Sequence, residues 1–300
     1  MADKRLYKYV TIAGLKRMIN GSVRFTQPGA FNDPFELLPE LVMRKNLEEK
    51  QVTLSFDVHA ERRTPSVGDV TEISEDFVCH DLTSRNIVRE LDKIVGIFCA
   101  SEASDSILMW SHYADQYTGA VVGFDADHDF FQRQFRMEYL KLRPRKDYAS
   151  YLASPVPLSE LCAKSEDWAY EKEVRIIRLL SDCKDTHNRD ARNFPVFTQK
   201  IPDGCMKTIT FGERTSIKDQ RDIYARVKNT QIGVALSAVD NSGFGFRQEI
   251  VKYPEALGVM GPVVSPRTAH IWSAEKSALG DIARAMIDKH PASKIVNNLA

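Results

Sequence analysis

The sequence predicts an α+β fold: a mixed, largely antiparallel sheet core with helices packed around it. Three observations predict it. Strand-like runs follow one another without a helix between them, as in "TQIGVALSA" and "GFGFRQEIV". Two continuous apolar runs, "IVGIFCAS" and "GAVVGFD", have the character of strands covered on both faces. Helical periodicity is confined to a few capped segments that do not alternate regularly with strands, unlike a doubly wound sheet.

In chain order, "RLYKYV" reads as a short strand. In "TIAGLKRMING" Thr11 is placed to cap a helix, Ile12, Leu15 and Ile19 share a face, and Asn20-Gly21 stops it. "SVRFTQP" alternates, with Val23 and Phe25 on one side, and ends at Pro28. Asn32-Asp33-Pro34, between Phe31 and Phe35, has turn chemistry. Residues 40–93 read as a helical insertion, with "LVMRKNLEEKQ" and "SRNIVRELDKI" helix-like and "ERRTPSVGD" a polar break. Ser104 or Asp105 can cap a helix over 106–116. "FRMEYLKL" is strand-like, "LSELCAK" a short helix, and "WAYEKEVRIIRL" alternates as one strand. A polar linker at 181–193 precedes strand "KTITFG" and helix "SIKDQRDIYARVK". Ser273 is placed to cap a terminal helix, "SAEKSALGDIARAMIDKH". The expected organisation is one α+β domain over 1–254 and a C-terminal helical extension over 255–300.

The chain has 300 residues, 43% of them hydrophobic, and its 41 basic residues equal its 41 acidic ones. Bulk charge therefore gives no reason to expect a nucleic-acid or membrane partner. Cys79, Cys99, Cys162, Cys183 and Cys205 are odd in number and have no zinc spacing. They read as free thiols of a reducing compartment. The start "MADKRLYKYV" lacks a signal-peptide core, and no apolar run approaches the ~20 residues of a membrane helix. A cytoplasmic protein is expected, with no metal site.

Two segments carry chemistry. In "SDSILMWSHYADQYTG" a helical wheel puts Ile107, Trp110, Tyr113, Ala114 and Tyr117 on a core side and His112 nearly opposite. His112 is then either a surface histidine or the border of a cleft. In "YEKEVRII" strand alternation puts Glu171, Glu173 and Arg175 on one face, neighbours roughly 7 Å apart, and Tyr170, Val174 and Ile176 on the other. If that row faces water it is only the polar side of a half-buried strand. If it faces a groove, one glutamate can bind sugar hydroxyls, another can offset a developing oxocarbenium charge, and Arg175 can contact substrate.

Three blocks together resemble a bacterial family of domains of unknown function, number 2971: "LYKY…NGSVRFTQPGAFNDPFE", "ILMWSHYADQYTGAVVGFD", and Lys164, Trp168 and "YEKEVRII". "ITFGERTSIKDQRDI" is a weaker fourth. The blocks are also distantly similar to ADP-ribosyltransferases in the order of their parts. That resemblance implies an enzyme that takes NAD as substrate and cleaves its nicotinamide N-glycosidic bond. It implies that Tyr9 and Phe25 sandwich the nicotinamide and that Thr26 bonds the ribose region. Glu173 holds a ribose hydroxyl and stabilises the oxocarbenium ion, and Glu171 orients or deprotonates the acceptor. Lys8 stands where the family has His or Arg, Asn32 and Asp33 shape the rim, and His112 contacts a phosphate.

Other readings remain. Arg133, Arg136, Lys141, Arg143, Arg145 and Lys146, interleaved with Phe135, Tyr139 and Tyr148, form a stretch over 133–148 that suits single-stranded nucleic acid or merely a solvated face. Arg214, Thr215 and Ser216 open a helix, where they can grip phosphate or simply cap. The protein can instead be a non-enzymatic binding or regulatory module with a protein partner, in phage defence or a toxin–antitoxin pair. A metal nuclease is a third reading, with weak support in "YEKE".

Overall fold

The structure, a computed structural model, describes residues 4–42, 81–147, 161–254 and 261–296. Strand β1 (Arg5–Val10) is followed by helix α1 (Ile12–Ile19), β2 (Ser22–Phe25), β3 (Glu40–Val42), α2 (Asp81–Leu91) and β4 (Val95–Ser101). Next come α3 (Ile107–Tyr113), β5 (Ala120–Asp125), and the short strands β6 (Gln134–Arg136), β7 (Glu138–Leu140), β8 (Arg145–Asp147) and β9 (Ala163–Ser165). β10 (Glu173–Leu179), β11 (Lys184–Arg189), β12 (Pro195–Lys200), β13 (Met206–Phe211), α4 (Ile217–Val227), β14 (Gly233–Val239) and β15 (Phe246–Lys252) lead to α5 (Ala269–Trp272) and α6 (Ala278–Lys289).

Eight strands form one sheet in the order β15-β14-β13-β5-β1-β4-β10-β6. Neighbours are antiparallel except β13 and β14, a parallel pair joined through α4, the crossover such a pair requires. The fold is thus α+β with a mixed, mostly antiparallel sheet. β1 pairs with β5 along its whole length, from Arg5↔Asp125 to Val10↔Ala120. With β4 it shares one register pair, Tyr7↔Ser101. Beyond that pair the two strands part. β4 is bridged instead at Ile97 to Thr26, just past the end of β2. β2 belongs to a second sheet, β11-β12-β2. The large sheet is split between β1 and β4, and the small sheet departs from the split.

Alternation in β2 places its two faces as expected. Val23 and Phe25 are buried, and Phe25 sits in an aromatic cluster with Phe98 and Phe130 at centroid distances of 6.1 and 6.4 Å. Such pairs contribute about 0.5–1.5 kcal/mol each beyond burial. Ser22, Arg24 and Thr26 face the other way. Thr11 caps α1 by accepting from the Gly14 N–H at 3.1 Å. Ala269, Ile271, Trp272 and Ala283 join the main core, so the described part of the C-terminal extension packs onto the sheet.

Several boundaries differ from expectation. α3 is capped by Ser106, not Ser104 or Asp105, and ends at Tyr113. Asp115, Gln116 and Tyr117 then take positive φ (49°, 52°, 73°), so Tyr117 leaves the helical stripe. "FRMEYLKL" breaks at the buried Met137 into β6 and β7, which join different sheets. The expected linker at 181–193 contains β11, an edge strand whose polar side chains hid it. Ser273 is the C-cap of α5; Ser277 caps α6. The described end of "LSELCAK" is β9; its start, and most of "LVMRKNLEEKQ", lie outside the described residues. Among the described residues, Cys99, Cys183 and Cys205 are free thiols, and no helix is long and apolar enough to cross a membrane.

The left-handed turn at 115–117 is pinned by close backbone contact. A Cβ on Gly212 would overlap the Tyr117 carbonyl oxygen, and the Arg214 N–H donates to that oxygen at 3.0 Å. Gly212→Ala is therefore expected to cost about 1–3 kcal/mol. Urea unfolding of the variant checks this; an unchanged midpoint contradicts the contact.

Candidate functional site

A cavity of about 640 Å³ occupies the split. That lies within the roughly 300–1,000 Å³ of ordinary small-molecule sites. Tyr7, Lys8, Tyr9 and Val10 all line it, so β1 presents side chains from both faces and its free edge. Ile97, Cys99 and Ala100 of β4 line the opposite edge. The Cys99 carbonyl, left without a β1 partner by the split, accepts from the Lys8 ammonium. That ammonium also lies 4.7 Å over the Phe98 ring. Burial pushes the Lys8 amine below its ordinary value, while Cys99, Glu173 and Glu171 pull the other way.

Glu171 and Glu173 reach the cavity by different routes. The expected single strand is interrupted: Glu166–Glu171 is a 3-10 turn, Lys172 is left-handed at φ 43°, and the strand begins at Glu173. Glu173 and Arg175 share a face as alternation requires, and the Arg175 Nε donates to Glu173 Oε1 at 2.8 Å. Glu171 is delivered by the turn. The row is not a solvent face. Glu171, Glu173 and Arg175 are 3%, 6% and 0% exposed.

What permits this burial is a network assembled from four segments. The Lys164 ammonium, from β9, donates to Glu171 Oε2 at 2.7 Å and Glu173 Oε2 at 3.1 Å. Glu36, from the loop after Asn32-Asp33-Pro34, pairs with Arg175 and lies 3.9 Å from Lys164. Tyr113, from α3, donates to Glu171 Oε1 at 2.5 Å. The Leu161 carbonyl accepts from Arg175. Three carboxylates (Glu36, Glu171, Glu173) thus meet three cations (Lys164, Arg175, and Lys8 across the split). Unpaired, each buried charge would cost several kcal/mol.

Burial opposes the Lys164 charge, but Glu173 and Glu171 outweigh it and hold the ammonium above its ordinary 10.5. Burial raises the Glu171 carboxyl, with Lys164 and Tyr113 opposing. It pushes Arg175 down to about 9, with Asp33 opposing. It raises Tyr9, Tyr113 and Tyr139 above 10.0. The sign for stability follows. A raised group keeps its proton when folded but loses it when unfolded, so stability falls as pH rises past the unfolded value. Lys164 and the three tyrosines all act this way above pH 10.0–10.5; Arg175 and Lys8 act oppositely. Net destabilisation is expected above about pH 10, where these four groups outnumber Arg175 and Lys8, read as a falling urea midpoint between pH 10 and 11. A midpoint that holds or rises contradicts the network.

The structure brings Lys8, Tyr9, Thr26, Asn32, Glu171 and Glu173 to one cavity. The Thr26 hydroxyl makes no hydrogen bond among the described residues. Phe25 is not brought there: alternation turns it into the core, 0% exposed. His112 is exposed, with its ring near Tyr113 and Trp168 and outside the lining. Asp33 is buried behind the wall, where its Oδ1 accepts from the Phe35 N–H at 2.9 Å, and Arg175 backs Glu173 from the core side. Sequence reasoning missed Glu36, and took Tyr113 for core alone. A lone acid in "PFELL" is the signal that could have found Glu36.

The other candidates have structural accounts. Thr215 is buried and donates to the Gly119 carbonyl, and Ser216 caps α4 by accepting from the Asp219 N–H at 3.1 Å. Arg214 lies over the Tyr117 ring. In the basic stretch, Arg136 pairs with Glu102 and Arg145 with Glu40. Phe135 and Tyr139 pack inward, and the Tyr139 hydroxyl accepts from the Glu173 N–H at 2.7 Å. Tyr148 lies outside the described residues.

An α+β protein with a split-sheet cavity and buried, ion-paired glutamates is the class that fold and site define. Residues 109–176 match the model of a family described as "Protein of unknown function (DUF2971)", which supports the resemblance carried by the sequence blocks. The matched span holds Tyr113, Lys164, Glu171, Glu173 and Arg175; β1, β2 and Glu36 lie outside it. Neither the curated proteins nor the solved structures gave a significant match.

Proposed function

We propose that the protein cleaves the nicotinamide N-glycosidic bond of NAD in the split-sheet cavity and passes the ADP-ribosyl group to an acceptor. One observation carries this reading: Tyr9, Thr26, Glu171 and Glu173, remote in sequence, line one cavity. The Tyr9 ring, held by Trp110 and 5% exposed, borders the nicotinamide where it meets the cavity. The unpartnered edge of β1 offers backbone groups to its carboxamide. The free Thr26 hydroxyl bonds the ribose. As the C1′–N bond breaks, its electron pair leaves with nicotinamide and positive charge develops at C1′. Glu173 stands fixed by Lys164 and Arg175, so it needs no reorganisation to offset that charge. A carboxylate can accept about four hydrogen bonds. Glu173 therefore retains capacity for a ribose hydroxyl. Glu171, its carboxyl raised by burial, takes the acceptor's proton.

The test is release of free nicotinamide from NAD. Thr26→Val keeps the shape and the backbone bridge to Ile97 and removes the hydroxyl. It is expected to lower kcat/KM roughly threefold to tenfold, the value of one neutral hydrogen bond. No release by the wild type, or full activity in the variant, counts against the reading. NAD that stabilises the fold without turnover favours a non-enzymatic binding module instead.

A further inference from the structure

We propose that the mouth of the cavity is a phosphate site built by Arg17 and Arg24, so that the ligand is a phosphorylated nucleoside. The nucleoside half of this statement rests on the reading above; the anion half rests on the two arginines alone. Ser22, Arg24 and Thr26 form one face of β2, and all three line the cavity. Arg24 is two residues from Thr26, roughly 7 Å along the strand. That is about the reach across one ribose.

The arginines are differently held. Lys16, next to Arg17, is committed to α4, with Asp222 at 2.8 Å and Asp219 at 3.4 Å. Arg17 stands about 100° further round the helix. It is exposed, lines the cavity, and has no ion-pair or hydrogen-bond partner among the described residues. The Arg24 Nη2 donates to Asp190 Oδ2 at 2.6 Å, while its Nε is buried with no hydrogen-bond partner. That Nε is closed to solvent, so a ligand oxygen meets the exposed part of the guanidinium, the Arg24 side chain being 31% accessible. Asp190 is already engaged by Arg24 and by the Arg192 and Phe194 N–H groups, both at 2.9 Å.

Charge separates the two ends of the cavity. At the inner end Glu36, Glu171, Glu173 and, behind the wall, Asp33 offset Lys8, Lys164 and Arg175, which leaves no positive charge to spare. At the mouth Arg17 and Arg24 face the single carboxylate Asp190, which leaves one positive charge. An anionic group is drawn there and the uncharged ring and sugar to the inner end. The Ser22 and Thr198 hydroxyls, also in the lining, supply neutral donors, Thr198 as the cross-strand partner of Arg24.

Calorimetric titration tests this with two pairs of probes: nicotinamide mononucleotide against nicotinamide riboside, and AMP against adenosine. In the wild type each phosphorylated member is expected to bind at least roughly tenfold tighter, with the gap closing in high salt. Arg17→Glu, on an exposed side chain, is expected to erase the gap and leave the uncharged members' affinity in place. A gap for AMP alone, removed by Arg17→Glu, supports the phosphate site and discards the nicotinamide reading. Equal binding within both pairs, a gap that survives Arg17→Glu, or no binding by any of the four overturns the proposal.

Discussion

Lys164→Met is expected to destabilise the protein by about 3–5 kcal/mol, the usual cost of deleting one partner from a buried ion pair. The substitution keeps an unbranched side chain of similar length, so little packing is lost. What it removes is the ammonium that joins Glu171, Glu173 and Glu36 at 2.7, 3.1 and 3.9 Å. Those carboxylates would then be buried with only Arg175 and Lys8 to balance them. Adding Glu171→Gln to Lys164→Met restores equal charge and is expected to recover part of the loss. Denaturant unfolding of the two single variants and the double variant measures this coupling. Additive losses would mean that Lys164 acts through packing and not through charge.

Glu173→Gln is expected to lower nicotinamide release by about 10²–10³-fold, the scale of removing one preorganised stabilising group. From the sequence alone this substitution reads as silent for the fold. The structure revises that expectation. Glu173 accepts from both Lys164 and Arg175, so a neutral amide leaves an excess of buried positive charge and presents an NH₂ where an acceptor is needed. A measurable loss of stability is expected alongside the loss of activity. Catalysis must accordingly be compared well below the variant's unfolding midpoint. Near wild-type release by folded Glu173→Gln protein would remove the glutamate from the chemistry.

The sheet core and most of the cavity's first wall were legible because strand alternation is a local property. Val23 and Phe25 against Arg24 and Thr26 follows from period two alone, and the structure keeps it. The same rule argued against Phe25 as a ring-stacking residue, since a side chain on the core face cannot also face a groove. Local pattern failed where the backbone stopped being regular. Lys172 in the left-handed region broke "YEKE" into a turn and a strand, yet left both glutamates at the cavity. The positive φ run at 115–117 took Tyr117 off the helix, while Tyr113, still on it, reaches Glu171. Long-range pairing was not legible. Nothing in "PFELL" says that its acid meets an arginine 139 residues later, because Arg175 is positioned by β4 and β10 rather than by its own neighbours. The split between β1 and β4 was hidden for the same reason: β4 pairs with β1 only at Tyr7↔Ser101 and is bridged at Ile97 to Thr26, a residue remote from both strands in sequence.

The most direct measurement is a crystal structure with an NAD analogue whose glycosidic bond cannot be cleaved. The nicotinamide ring is expected beside Tyr9 within the split, its ribose hydroxyls between Thr26 and Glu173, and the diphosphate toward Arg17. A ligand bound elsewhere on the surface, or an empty split at saturating analogue, would contradict this placement.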